Sequence, residues 1–100
     1  MQIILKIYGK VQGVFFRDSS RMKARELNLS GFARNELDGT VQIVAEGEEE
    51  KLKEFIEWCK NAKPAPEKRE GWQGPDHAKV EKVEIEWKES AKQFNDFTVE

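Results

Sequence analysis

The spacing of apolar residues changes period four times along this chain, and the order of those changes constrains the fold more than any other feature. Residues 2–9 alternate: Ile3, Leu5 and Ile7 share one face, and Ile4, Lys6 and Tyr8 the other. That is the period-2 pattern of a strand buried on one side. From Asp18 to Asn28 the composition becomes helical, with Asp18, Ser19 and Ser20 as cap side chains and Met22, Ala24 and Leu27 pointing inward. Ser30-Gly31 breaks the chain. Residues 31–37 and 40–46 then read as strands about Asp38-Gly39, which predicts a two-residue hairpin turn with positive φ at both positions. Glu48-Glu49-Glu50 suits the positive end of a second helix, where Leu52, Phe55, Ile56 and Cys59 fall at i, i+3, i+4 and i+7. Glu49 and Lys53 are placed to pair one turn apart on its wet face. Val83, Ile85 and Trp87 alternate with charges as another strand, and Phe94, Phe97 and Val99 mark a short last strand with no assigned partner.

Strand, helix, hairpin, helix, strand within 100 residues predicts an α+β, ferredoxin-like βαββαβ sandwich. Its right-handed split βαβ units give an antiparallel sheet in the order 4-1-3-2, with two helices on one face. Residues 1–100 form one domain. The stretch 61–78 holds Pro64, Pro66 and Pro75 with Gly71 and Gly74 and has no apolar period. It reads as a single long loop, too close to the end of the chain to separate two domains.

The remaining totals exclude several function classes. Charged residues make up 36% of the chain, and the formal net charge is −2. Mean hydropathy is −0.76 and the pI is about 5.6. Non-specific nucleic-acid binding calls for a basic excess, so no nucleic-acid partner is expected. A single cysteine, Cys59, excludes an internal disulfide and a multi-cysteine zinc site. It lies on an apolar helical stripe and is read as core. His77, the one histidine, has no partner ligands at metal spacing, so no metal and no cofactor are expected. No apolar run reaches ~18 residues and no basic-then-apolar leader opens the chain, which predicts a cytoplasmic, membrane-free protein; a monomer is expected.

The segment Gly9-Lys10-Val11-Gln12-Gly13-Val14-Phe15-Phe16-Arg17 carries the chemistry. It runs from strand through a glycine-bearing loop to an arginine at a helix start. Arginine is slightly unfavourable there, because the helix dipole is positive at that end. Amide N–H groups of Gln12, Gly13, Val14, Phe15 and Phe16 can converge on an oxyanion, and the planar fork of Arg17 can clamp two of its oxygens.

This segment resembles the phosphate loop of the acylphosphatase family. Gly31 to Gly47, G-F-A-R-N-E-L-D-G-T-V-Q-I-V-A-E-G, is similar to that family's second signature. The resemblance covers nearly the whole chain. It implies hydrolysis of acyl phosphates to a carboxylate and inorganic phosphate, with Arg17 as the phosphate-binding residue and Asn35 positioning the attacking water. Phosphate or sulfate would occupy the same site. A carboxamide can both accept from and donate to a water, which suits that role. A non-catalytic anion-binding module of the same fold, handling carbamoyl phosphate or RNA, is the alternative. The RNA variant is disfavoured because Thr40 to Glu46 contains no aromatic residue for stacking a base. Lys10 reads as a strand-end lysine, and Trp58 and Trp72 as packing residues around the long loop. The segment Glu67 to Gln73 reads as an insertion relative to the family, and Asp18 as a helix cap facing away from the anion.

Overall fold

The computed structural model describes residues 1–12, 16–61, 79–89 and 94–100. Seven elements follow in the expected order: β1 (Gln2–Lys10), α1 (Phe16–Glu26), β2 (Ser30–Asn35), β3 (Val41–Glu46), α2 (Glu49–Lys60), β4 (Lys79–Lys88) and β5 (Phe97–Val99). The sheet order is β4-β1-β3-β2-β5. The first four strands are antiparallel neighbours, as the sequence predicts. The fifth runs parallel to β2, with Gly31 opposite Phe97 and Ala33 opposite Val99, so the whole sheet is mixed rather than purely antiparallel. The free edge of β2 accounts for this. Gly31 N–H donates to the Asp96 carbonyl at 2.9 Å and Glu100 N–H to the Ala33 carbonyl at 2.9 Å, while Phe97 is buried in the core.

Alternation decides which face of the sheet is covered. Ile3, Leu5 and Ile7 of β1 are fully buried together with Val41, Ile43 and Ala45 of β3. The register places Leu5 between Ile43 and Ile85, so the apolar rows of adjacent strands coincide. A one-residue slip would turn every one of them to water. From α2, Leu52, Phe55, Ile56 and Cys59 pack onto this face as the helical spacing predicts, and Glu49 and Lys53 pair at 3.1 Å on the outer side. Burial pushes the Cys59 thiol far above its ordinary range.

Three local expectations are corrected. First, α1 begins at Phe16 rather than Asp18, and its buried residues include Phe16, Ser20 and Ala24. That i, i+4, i+8 stripe puts Met22 half a turn away from the core, and Met22 is 42% exposed instead of inward. Ser20 is tolerated on the buried stripe because its hydroxyl donates to the Phe16 carbonyl at 2.8 Å. Second, α1 ends at Glu26 rather than Asn28, and Ser30-Gly31, expected to break the chain, opens β2. Asn28 adopts a left-handed φ of 59°. Asn28 N–H then donates to the Arg25 carbonyl and Leu29 N–H to the Ala24 carbonyl, which satisfies the last turn.

Third, the hairpin loop has three residues, not two. Glu36 N–H donates to the Thr40 carbonyl at 2.9 Å and Gly39 N–H to the Glu36 carbonyl at 3.2 Å. Of Asp38 and Gly39, the glycine alone has positive φ, at 91°. A β-turn followed by one left-handed glycine matches the twist of the strands as well as the expected two-residue turn does. It also frees the Asp38 carboxylate to accept from the Thr40 hydroxyl at 2.6 Å and the Thr40 N–H at 3.1 Å. No helix among the described residues is long and apolar enough to cross a membrane. Most of the predicted 61–78 loop, with Trp72 and His77, lies outside the described residues.

Candidate active site

Aromatic packing anchors the start of α1. The rings of Phe16 and Trp58 stack at 6.0 Å between centroids, Trp58 stacks on Phe55 at 6.0 Å, and Phe55 meets Phe97 edge-on at 6.1 Å. Each contact adds orientation to burial. Phe16 is thereby fixed by α2, which is itself braced by β5 through Phe97, and Arg17 is the next residue along the first turn. The Phe16 side chain is core, which leaves its backbone N–H as the group available to a ligand.

Arg17 is partly buried. Its Nη1 donates to the main-chain oxygen of Glu100. Glu100 N–H donates in turn to the Ala33 carbonyl, and Arg34 Nη1 lies 4.0 Å from Glu100 Oε1. One residue beyond β5 therefore ties the guanidinium of α1 to the end of β2. Ala33 and Asn35 share the helix-side face of that strand, two residues apart. The bridge therefore links the Arg17 guanidinium to β2 at Ala33, two residues before Asn35, and neither residue's local pattern announces it.

Asn35 is the last residue of β2, opposite Val41. Its Oδ1 is buried and has no hydrogen-bond partner among the described residues. A buried carbonyl oxygen without a donor costs about 1–3 kcal/mol. The fold retains that cost next to the element that holds Arg17. Such an acceptor can accept a hydrogen bond from a water or a ligand.

Gln12 contributes through its side chain as well as its position. Its Nε2 donates to the carbonyls of Glu36 at 2.7 Å and Thr40 at 2.8 Å. Sequence reasoning counted only its backbone amide. The acceptors are main-chain carbonyls 24 and 28 residues further on, and no residue type signals them. Gly13, Val14 and Phe15, the middle of the predicted cradle, lie outside the described residues. Lys10 is exposed at the end of β1, as a strand-end lysine should be.

Electrostatics around the hairpin are strongly biased. Asp38 is lowered to about 2, first by the Thr40 hydroxyl and N–H hydrogen bonds and then by Lys6, whose Nζ lies 3.0 Å away. Lys6 is raised above its ordinary value, chiefly by Asp38. These groups brace the turn together with the Thr40 hydrogen bonds.

The acylphosphatase family model matches residues 3–99 of this chain. The chain belongs to the acylphosphatase family. Membership assigns it acylphosphatase activity. The acylphosphatase of Marinobacter nauticus is 43% identical over 93 residues, covering 93% of this chain and 88% of that protein. Among solved structures, the acylphosphatase of Bacillus subtilis superposes with a TM-score of 0.82 at 32% identity, covering 98% of this chain and 96% of that one. A full-length HypF solved in a phosphate- and nucleotide-bound form also matches, with a TM-score of 0.78 at 28% identity. It covers 98% of this chain and 11% of HypF. The acylphosphatase fold therefore occurs both as a short protein and as one segment of a much longer one.

Proposed function

We propose that this chain hydrolyses acyl phosphates by in-line attack of water on a phosphoryl group held by Arg17 and the amides of residues 12–16. The departing group is a carboxylate, whose conjugate acid has a pKa of about 4 by analogy with side-chain carboxyls. It leaves without a general acid. The remaining tasks are to hold the phosphoryl group, neutralise its charge and aim a water along the line of the breaking P–O bond. Arg17 and the N–H groups of Gln12, Gly13, Val14, Phe15 and Phe16 perform the first two. Asn35 performs the third, accepting a hydrogen bond from the water through Oδ1. The attacking water's proton passes to a phosphoryl oxygen of the substrate. No metal or cofactor enters the scheme.

The observation that carries this reading is the unpartnered Oδ1 of Asn35, on a strand linked through Glu100 to the Arg17 guanidinium. The test is hydrolysis of benzoyl phosphate by wild type, Arg17→Ala and Arg17→Lys, each with and without a chelator. Arg17→Ala should lose at least ~10²-fold in kcat/KM, the usual loss for one charge-stabilising donor. Lysine should rescue only a fraction, because it cannot form the bidentate fork. Chelator should leave every rate unchanged. An Arg17→Ala enzyme within threefold of wild type, or inactivation by chelator, would overturn the mechanism.

A further inference from the structure

We propose that Gln12 is a positioning residue whose carboxamide fastens the leading edge of the phosphate cradle to the neck of the β2–β3 hairpin, and so sets where Asn35 holds its water. The inference rests on the reading of Asn35 as the water holder.

Donor counting defines the role. A carboxamide nitrogen carries two N–H groups, and Gln12 Nε2 directs them to Glu36 O at 2.7 Å and Thr40 O at 2.8 Å. None is left for a phosphoryl oxygen, and the other end of the amide is an acceptor that would repel one. The side chain is therefore not a phosphate ligand. Both carbonyls already accept one hydrogen bond, Glu36 O from Gly39 N–H and Thr40 O from Glu36 N–H. Gln12 fills a second lone pair on each. It forms a crossbar over the point where the two strands close into the loop.

That point is next to the chemistry on both sides. Asn35 immediately precedes Glu36, and its register partner Val41 immediately follows Thr40. Gln12 immediately precedes Gly13, in the middle of the G-K-V-Q-G-V-F-F-R segment. Moving the Asn35 end of β2 away from Gln12 requires breaking both bonds of the crossbar. A displacement of about 1 Å between reacting groups can cost 10²-fold in rate, so a shared anchor for phosphate and water has a direct catalytic consequence.

The experiment compares wild type with Gln12→Met, which keeps the length and loses both donors, and Gln12→Glu, which keeps the shape and sets a carboxylate against two carbonyl oxygens. Turnover of benzoyl phosphate, KM, inhibition by inorganic phosphate and thermal unfolding are measured on each. Gln12→Met should lower kcat by about 10- to 100-fold, with KM and the phosphate inhibition constant within about threefold of wild type. In an Asn35→Ala background the same change should cost less than about threefold, because no aimed water remains to be displaced. For Gln12→Glu, the kcat ratio to wild type should rise as pH falls, since the protonated acid regains one donor. This arm decides the matter if Gln12→Met does not fold.

Unchanged kcat in Gln12→Met, whatever its melting temperature, overturns the proposal. So does a rise confined to KM and the phosphate inhibition constant, an equal kcat loss in both backgrounds, or a pH-independent Gln12→Glu ratio. Full activity of Asn35→Ala by itself is a different failure, that of the water-holder reading beneath the proposal.

Discussion

Replacing Asn35 with alanine should sharply lower turnover and leave the fold almost as stable as before. An asparagine that holds its strand end through protein hydrogen bonds would behave otherwise. Its truncation would lose about 1 kcal/mol per bond and strand a buried partner at a further 1–3 kcal/mol. Asn35 Oδ1 has no such partner among the described residues, so truncation at that atom strands nothing. The loss is limited to the packing of a partly buried carboxamide, about 1 kcal/mol. It is offset by removing a buried acceptor that no described residue satisfies. The net change should lie within about 1 kcal/mol of zero, a shift in Tm of no more than about 4–8 °C for a domain of this size. Turnover should fall by about 10²- to 10³-fold, the range for loss of one preorganised group in the transition state. Urea unfolding followed by tryptophan fluorescence gives the first number, and benzoyl phosphate hydrolysis the second. A destabilisation above about 2 kcal/mol would mean that the side chain is structural and that the inactivity reports unfolding. A stable and active Asn35→Ala enzyme would leave the attacking water with another holder.

Three further outcomes follow from the fold and its charges. Asp38 has a folded pKa lowered to about 2, chiefly by Thr40 and then by Lys6. A lowered carboxylate contributes stability above its ordinary value near 3.8 and loses it as pH falls through about 2. The Tm gap between wild type and Asp38→Asn should therefore hold from pH 7 to about 4 and close towards pH 2; a gap independent of pH would contradict the assignment. Gly31→Ala should lose about 3 kcal/mol or more in chemical denaturation, because a Cβ there would lie 1.8 Å from the Val44 carbonyl oxygen at a φ of +143°. A change below 1 kcal/mol would show that β3 yields easily. Cys59 is fully buried with its thiol pushed up. It should react with a thiol reagent at the rate of unfolding, not at the rate of an exposed cysteine.

The order of the elements was legible because each one announces itself locally. Ile3, Leu5 and Ile7 alternate because one face of β1 meets the helices, and Leu52, Phe55, Ile56 and Cys59 repeat because one stripe of α2 meets the sheet. Small errors came where two local solutions compete. Asp38-Gly39 suits a two-residue turn, yet Asp38 stabilises a three-residue one through Thr40. Asp18 and Ser19 suit a helix start, yet Phe16, stacked on Trp58, lies in the first turn. Met22 was misplaced for the same reason, since moving the start of the buried stripe rotates every later residue.

Sequence by itself determined the architecture and the family, and it named Arg17 and Asn35 as the two side chains on which the proposed chemistry depends. Tertiary structure decided which contacts link the elements that carry them. β5 pairs in parallel with β2 and delivers Glu100 to Arg17. Gln12 reaches across to the carbonyls of Glu36 and Thr40, and Asn35 Oδ1 ends up without a donor among the described residues. The division has a physical cause. Burial repeats with the period of the element that creates it, and so it is written into residue types. A hydrogen bond to a main-chain carbonyl can be accepted by any residue, so its address exists only once the chain has folded.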